Sequence, residues 1–137
     1  MHSHIKLFWV VVKMLFWLTK RKFSFCRMIN ANELVCLYTS ALDPRTVNNA
    51  TEALEDIYDK SESVFLHFLV LQNSNVNVVI KKYVSIALRR LVKIHFAVFS
   101  ENEITMMKDI TLNLIQNEDN LQIKYLLCDI AIKLFFL

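Results

Sequence analysis

No glycine occurs anywhere in this 137-residue chain, and Pro44 is its single proline. Average usage would supply about ten glycines in a chain of this length. Tight hairpin turns of types I′ and II′ need residues that tolerate positive φ, chiefly Gly, Asn and Asp. A chain with no glycine and one helix breaker therefore reads as helices joined by short polar turns, an all-α fold. Its lack of glycine also excludes the Gly-rich phosphate loops of P-loop and dinucleotide-binding proteins. The length suits one domain with a real core.

Charge is unevenly spread. The formal net charge is +3, yet residues 1–28 hold six basic side chains (Lys6, Lys13, Lys20, Arg21, Lys22, Arg27) and no acidic one. Residues 29–137 hold the other ten basic residues against all 13 acids, a net of −3. A mildly acidic domain does not point to nucleic acid as a partner. Cys26, Cys36 and Cys128 are odd in number and lack CxxC spacing. They read as thiols in a reducing compartment, with Cys36 and Cys128 on apolar helix faces as buried structural groups.

Residues 5–18 (IKLFWVVVKMLFWL) form an apolar run followed by the basic Lys20-Arg21-Lys22. About 14 residues fall short of the ~20 that a helix needs to cross a bilayer, and Lys13 interrupts them. Basic residues follow the run instead of preceding it, and no A-x-A-like cleavage site appears, so the signal-peptide pattern is missing. Three readings stay open for 1–28: an anchor, an interfacial amphipathic helix with Trp9 and Trp17 at the surface, or a segment foreign to the fold. Composition changes at Met28, and the helical region 29–137 begins there.

From Asn32 onward apolar residues recur at spacings of three and four, the helical period. The first stripe is Leu34, Leu37, Tyr38, Ala41 and Leu42, with Asn32 the expected N-cap. Asp43 then caps a second helix opening at Pro44 and running to about Asp59. A third helix starts near Ser61, and the polar turn Gln72-Asn73-Ser74-Asn75 leads into a long fourth from Val76 to about Phe99. Its broad apolar face includes Val79, Tyr83, Ile86, Leu88 and His95. Ser100–Glu103 caps a fifth helix, and the turn 116–120 leads to a sixth that ends on Phe135-Phe136-Leu137.

This spacing gives three helix-turn-helix units, 32–59, 61–99 and 101–137, with a period near 40 residues, the expectation for an α-α superhelix of HEAT or armadillo type, although a simple bundle of six helices would show similar stripes. Each unit alone buries too little, and stacking makes the core continuous. Ending on consecutive apolar residues, without the polar outer face of a terminal repeat, the stack reads as cut short: truncated, swapped into a dimer, or dependent on a partner.

Leu37-Tyr38-Thr39-Ser40-Ala41-Leu42-Asp43-Pro44, followed by Asn49-Ala50-Thr51-Glu52-Ala53-Leu54, resembles the first HEAT repeat of importin-β (karyopherin-β) nuclear transport receptors. Residues 80–96 are similar to the second-repeat B helix: Lys81, Leu88, Arg89, Val92 and Phe96 match in type, while Val84 and Ser85 replace the usual alanines and Phe96 stands for tryptophan. Ile123-Lys124 and Ala131 are similar to the third B helix. The resemblance implies a protein-interaction module of nucleocytoplasmic transport, moving between cytoplasm and nucleus. Its B-helix surface would receive the GTP-bound form of the small GTPase Ran. Cargo and nucleoporins would bind only through further repeats.

Lys81, Lys82, Arg89, Arg90 and Lys93 are the candidate partner-binding residues, with Lys82, Arg89 and Lys93 on one helix face. The bland alternatives are an ordinary solvated face, and for the arginines a pairing with the neighbouring unit such as Arg89 with Asp129. Glu52, Glu55, Asp56 and Asp59 form an acidic face with no nucleophile or base beside it. His2 and His4 lack further ligands, and His67 and His95 are isolated. Tyr38, Phe68 and Phe96 read as packing. No residue set forms a catalytic constellation, and no cofactor or metal is expected.

Overall fold

The computed structural model describes residues 29–137, and these are helical with no strand among them. Six helices follow one another: α1 Ala31–Ala41, α2 Val47–Tyr58, α3 Ser63–Gln72, α4 Val78–His95, α5 Glu101–Asn117 and α6 Leu121–Phe136. One 3-10 turn, Phe96–Val98, continues α4. Consecutive helices pack as α1 with α2, α3 with α4 and α5 with α6. Beyond these pairs, α1 lies on α3 and α4, α3 touches α5, and α4 packs on α6.

The middle helix shows why one core results. Its sequence SVFLHFLVLQ is apolar on nearly every side, and Ser63 through Phe68, Val70 and Leu71 are all buried. A helix apolar all round must be enclosed by neighbours. Phe65 and Phe99 meet edge-to-face, with ring centroids 5.5 Å apart, inside the cluster that also holds Leu34, Leu88, Met107 and Leu127. The other helices turn one stripe inward: Leu34 and Tyr38 from α1, Leu54 and Ile57 from α2, Ile123, Leu127, Ile130 and Leu134 from α6.

Several helix starts differ from the sequence expectation, for local reasons. Asn30, not Asn32, caps α1: its Oδ1 accepts the Glu33 amide at 2.8 Å and its Nδ2 donates to the Glu33 carboxylate at 3.1 Å. Asp43 does not cap a helix at Pro44. Its carboxylate accepts the amide of Arg45 at 2.9 Å and the Arg45 guanidinium at 3.3 Å, a local turn bond that competes with capping. Those same bonds, the amide first, hold the Asp43 carboxyl below its usual range. Thr46 meanwhile donates its hydroxyl to the Ser40 carbonyl at 2.7 Å, satisfying the end of α1, and α2 starts only at Val47.

Ser61 lies in the turn before α3, its hydroxyl donating to the Glu62 carboxylate. Asn77 caps α4 through the Val79 amide, so that helix begins two residues after Val76 and tightens to 3-10 geometry before Phe99. The Ser100 expectation holds as a complete capping box: Ser100 Oγ accepts the Glu103 amide and Glu103 Oε1 accepts the Ser100 amide. Cys36 is exposed, not a buried thiol. Leu34 and Tyr38 set the inward face of α1 at i and i+4, and a residue midway between them points the other way. Cys128 is half-buried.

Candidate functional site

The long helix α4 presents two unlike sides. Ile80, Val84, Leu88, Leu91 and Val92 form its inward stripe, four of them with no exposed area. On the other side Val79, Tyr83 and Ile86 are exposed, although the sequence pattern placed them on the apolar face with the core. They follow i, i+4, i+7 spacing, and Arg90 extends the row at i+11. Beside them runs Lys82, Ile86, Arg89 and Lys93. Two adjoining rows thus combine basic side chains with one tyrosine and two aliphatics. Neither row is explained by core packing.

The five predicted cations take different places. Lys82, Arg90 and Lys93 are exposed on this side of α4, and Arg89 is half-buried there. Arg89 Nη1 donates to Asp129 Oδ2 of α6 at 3.2 Å, tying the second helix pair to the third. Both side chains are more than a third exposed, so solvent screening leaves this pair about 0–1 kcal/mol. The Arg90 guanidinium sits 5.5 Å from the centroid of the Tyr58 ring on α2. Lys81 stands apart from the others. It lines a cleft of about 130 Å³ with Gln72, Asn113, Asn117 and Glu118, where α3, α4 and α5 meet. The buried side-chain amide of Gln72 in that cleft makes no hydrogen bond among the described residues.

Tyr58 leads into a polar network that sequence reading missed, having treated Tyr38 as packing and His67 as isolated. His67 is fully buried on α3. Its Nδ1 lies 2.6 Å from the Ser63 carbonyl oxygen, which can only accept, so Nδ1 carries the proton. Its Nε2, 2.7 Å from the Tyr38 hydroxyl, must then accept from that hydroxyl. The Tyr38 oxygen in turn accepts from Tyr58 at 2.8 Å. One directed chain of hydrogen bonds runs from α2 through α1 into α3. His95 of α4 adds a donor to the Tyr58 carbonyl at 2.7 Å, satisfying a helix C-terminal acceptor.

Burial lowers the His67 pKa to about 4, and the Ser63 bond only partly opposes this, so the imidazole is neutral. Burial also raises both phenols, Tyr38 well above its ordinary range. A neutral imidazole with no exposed surface, flanked by neutral phenols, reaches no substrate. The network holds helices together and positions Arg90. A spacing signal did exist, since Tyr38 and Tyr58 each fall on the inward stripe of their helix with a polar tip to satisfy. Their meeting at His67 depends on tertiary geometry.

Elsewhere, α2 exposes Glu52, Glu55, Asp56 and Asp59. A groove of about 520 Å³ between α1 and α2 is lined by Ile29, Cys36, Leu37, Ala53 and Ile57 with a polar rim. Among the described residues no group of three or more His, Cys, Asp or Glu side chains could hold a metal ion. No helix among them is long and apolar enough to cross a membrane. The segment 5–18, for which membrane contact was weighed, lies outside the described residues. Set against family models, curated proteins and solved structures, the chain matches none.

Proposed function

We propose that the chain is a protein-binding module, built as a short HEAT-like stack of three antiparallel helix pairs, with the outward side of α4 as its docking surface. The observation that carries this reading is the pair of rows on α4. Val79, Tyr83 and Ile86 are exposed beside Lys82, Arg90 and Lys93, on a helix whose opposite stripe is fully buried. Tyrosine and arginine are enriched where protein partners bind: tyrosine brings a rigid amphipathic ring at low entropic loss, and arginine a planar fork of donors that also stacks on aromatic faces. Lysines around apolar anchors favour an acidic partner by steering its approach. The packing of α1 on α3 and of α4 on α6 is of the kind that stacked layers make, and it supports the HEAT-like reading.

The resemblance to importin-β receptors names the first partner to try, Ran loaded with GTP. It rests on the motifs of residues 37–54 and 80–96, and α4 is the B helix on which such a partner would sit. Binding of the full chain to Ran in its GTP and GDP states, measured by calorimetry, tests this. The expected result is selective capture of the GTP form, with Tyr83→Ala and Lys82→Glu each weakening it about tenfold or more while helical content is unchanged. Equal affinity for both nucleotide states, or none, removes Ran as the partner. A different protein captured with the same sensitivity to Tyr83→Ala and Lys82→Glu would retain the docking surface. Capture unaffected by both substitutions would remove it.

A further inference from the structure

The last helix has a second apolar face that the core does not use. Ile123, Leu127, Ile130 and Leu134 turn inward, while Leu121, Tyr125, Ile132, Phe135 and Phe136 are exposed on the opposite side, Phe136 at 83% and Tyr125 at 63%. Leu121, Tyr125, Cys128, Ile132 and Phe135 fall at i, i+4, i+7, i+11 and i+14. This 3.5-residue period is the seam along which one helix packs against another. With a fully exposed aromatic side chain taken as roughly 200 Å² and an aliphatic one as somewhat less, the seam together with Phe136 exposes roughly 600 Å². That is the upper end of the roughly 300–600 Å² of the largest apolar patch on a typical monomer, and an elongated patch of this size suits a small interface below the ~800 Å² per partner of the standard kind.

We infer that this face is covered by the same face of a second copy, the two α6 helices packing antiparallel about a two-fold axis near Cys128. A two-fold interface must be complementary to itself, residue i meeting j and j meeting i. The seam meets that condition, because it runs bulky, bulky, small, bulky, bulky from either end. Centred on Cys128, antiparallel pairing sets Leu121 of each copy against Phe135 or Phe136 of the other, and Tyr125 against Ile132. Charge selects the direction. Asp119 is exposed just before the start of α6, whereas Lys108, whose Nζ lies 4.7 Å from the Phe135 ring centroid, marks its far end. Antiparallel packing brings each acidic end to the other copy's basic end, and parallel packing would oppose like charges.

This inference is independent of the α4 docking surface. Sedimentation equilibrium of the full chain tests it. The expected result is a dimer whose dissociation constant rises about 100-fold or more in Ile132→Glu with helical content retained. Lys108→Glu weakens the dimer, and adding Asp119→Lys to it restores the affinity. With Cys26 and Cys36 replaced by serine, mild oxidation links two chains through Cys128. A monomer at ~100 µM, well above the micromolar range of weak specific dimers, overturns the inference. So does a dimer indifferent to both Ile132→Glu and Lys108→Glu, or a charge exchange that fails to restore association. Dimerisation only after deletion of residues 1–28 would also overturn it, assigning the seam to that segment.

Discussion

His67 shows how one buried polar residue couples three helices to solution pH. Burial depresses its folded-state pKa to about 4, below the ordinary value of 6.5. Between those two values the unfolded chain binds the proton and the folded chain does not. Stability is therefore complete above about pH 6.5 and falls as pH drops toward 4. Urea unfolding at pH 7 and pH 5 checks the sign: the His67 contribution should weaken the fold by about 2 kcal/mol at pH 5, and His67→Leu should remove that part of the dependence. Equal pH dependence in the two proteins would contradict a neutral buried imidazole. Tyr38→Phe leaves Nε2 buried without its donor and should cost about 1–3 kcal/mol at pH 7. The spacing of Tyr38 on α1 marked it as an inward residue, but its chemistry depends on two side chains 20 and 29 positions away.

Among the elements, helix ends separate what is readable locally from what is not. The capping box of α5 lies within four residues, Ser100 to Glu103, and both of its bonds form. Ser61 has the same cap-forming chemistry but sits in a turn with its hydroxyl on Glu62. Ser100→Ala should therefore lower stability by about 1 kcal/mol, whereas Ser61→Ala should change it by less than about 0.5 kcal/mol, as thermal or urea melts would show. An effect of Ser61→Ala as large as that of Ser100→Ala would refute the assignment of α3's start. Pro44 misled for a related reason. Proline suits a first helical turn, yet the Asp43 carboxylate bonds to Arg45 and the Thr46 hydroxyl completes α1, so the link between α1 and α2 belongs to the turn.

Over the whole molecule, the buried helix α3 makes the core one unit. It touches α1, α4 and α5, and Phe65 from it meets Phe99 at the far end of the α4 segment. Phe65→Ala should cost about 3–5 kcal/mol, a large part of the ~5–15 kcal/mol total of a domain this size. Loss should be cooperative, with helical signal and tyrosine fluorescence falling together in guanidinium. A loss below about 1 kcal/mol, or separate transitions for the two signals, would show that the helix pairs melt independently.

Pattern and composition alone were enough to say that residues 29–137 are helical, roughly where their six helices lie, and which stripe of most of them turns inward. Helical period, absent glycine and short polar turns are local properties that need no knowledge of neighbours. Which apolar side chains stay outside follows from the packing of the helices, as with Val79, Tyr83 and Ile86 on α4 and Leu121, Tyr125 and Phe136 on α6. The same holds for the path from Tyr58 through Tyr38 to His67, whereas the pairing of Arg89 with Asp129 is one of the readings the spacing offers and is the one that forms. The physical reason is that hydrophobicity is non-directional: a pattern can say that a surface avoids water, but only the placement of neighbouring helices says whether anything is there to cover it.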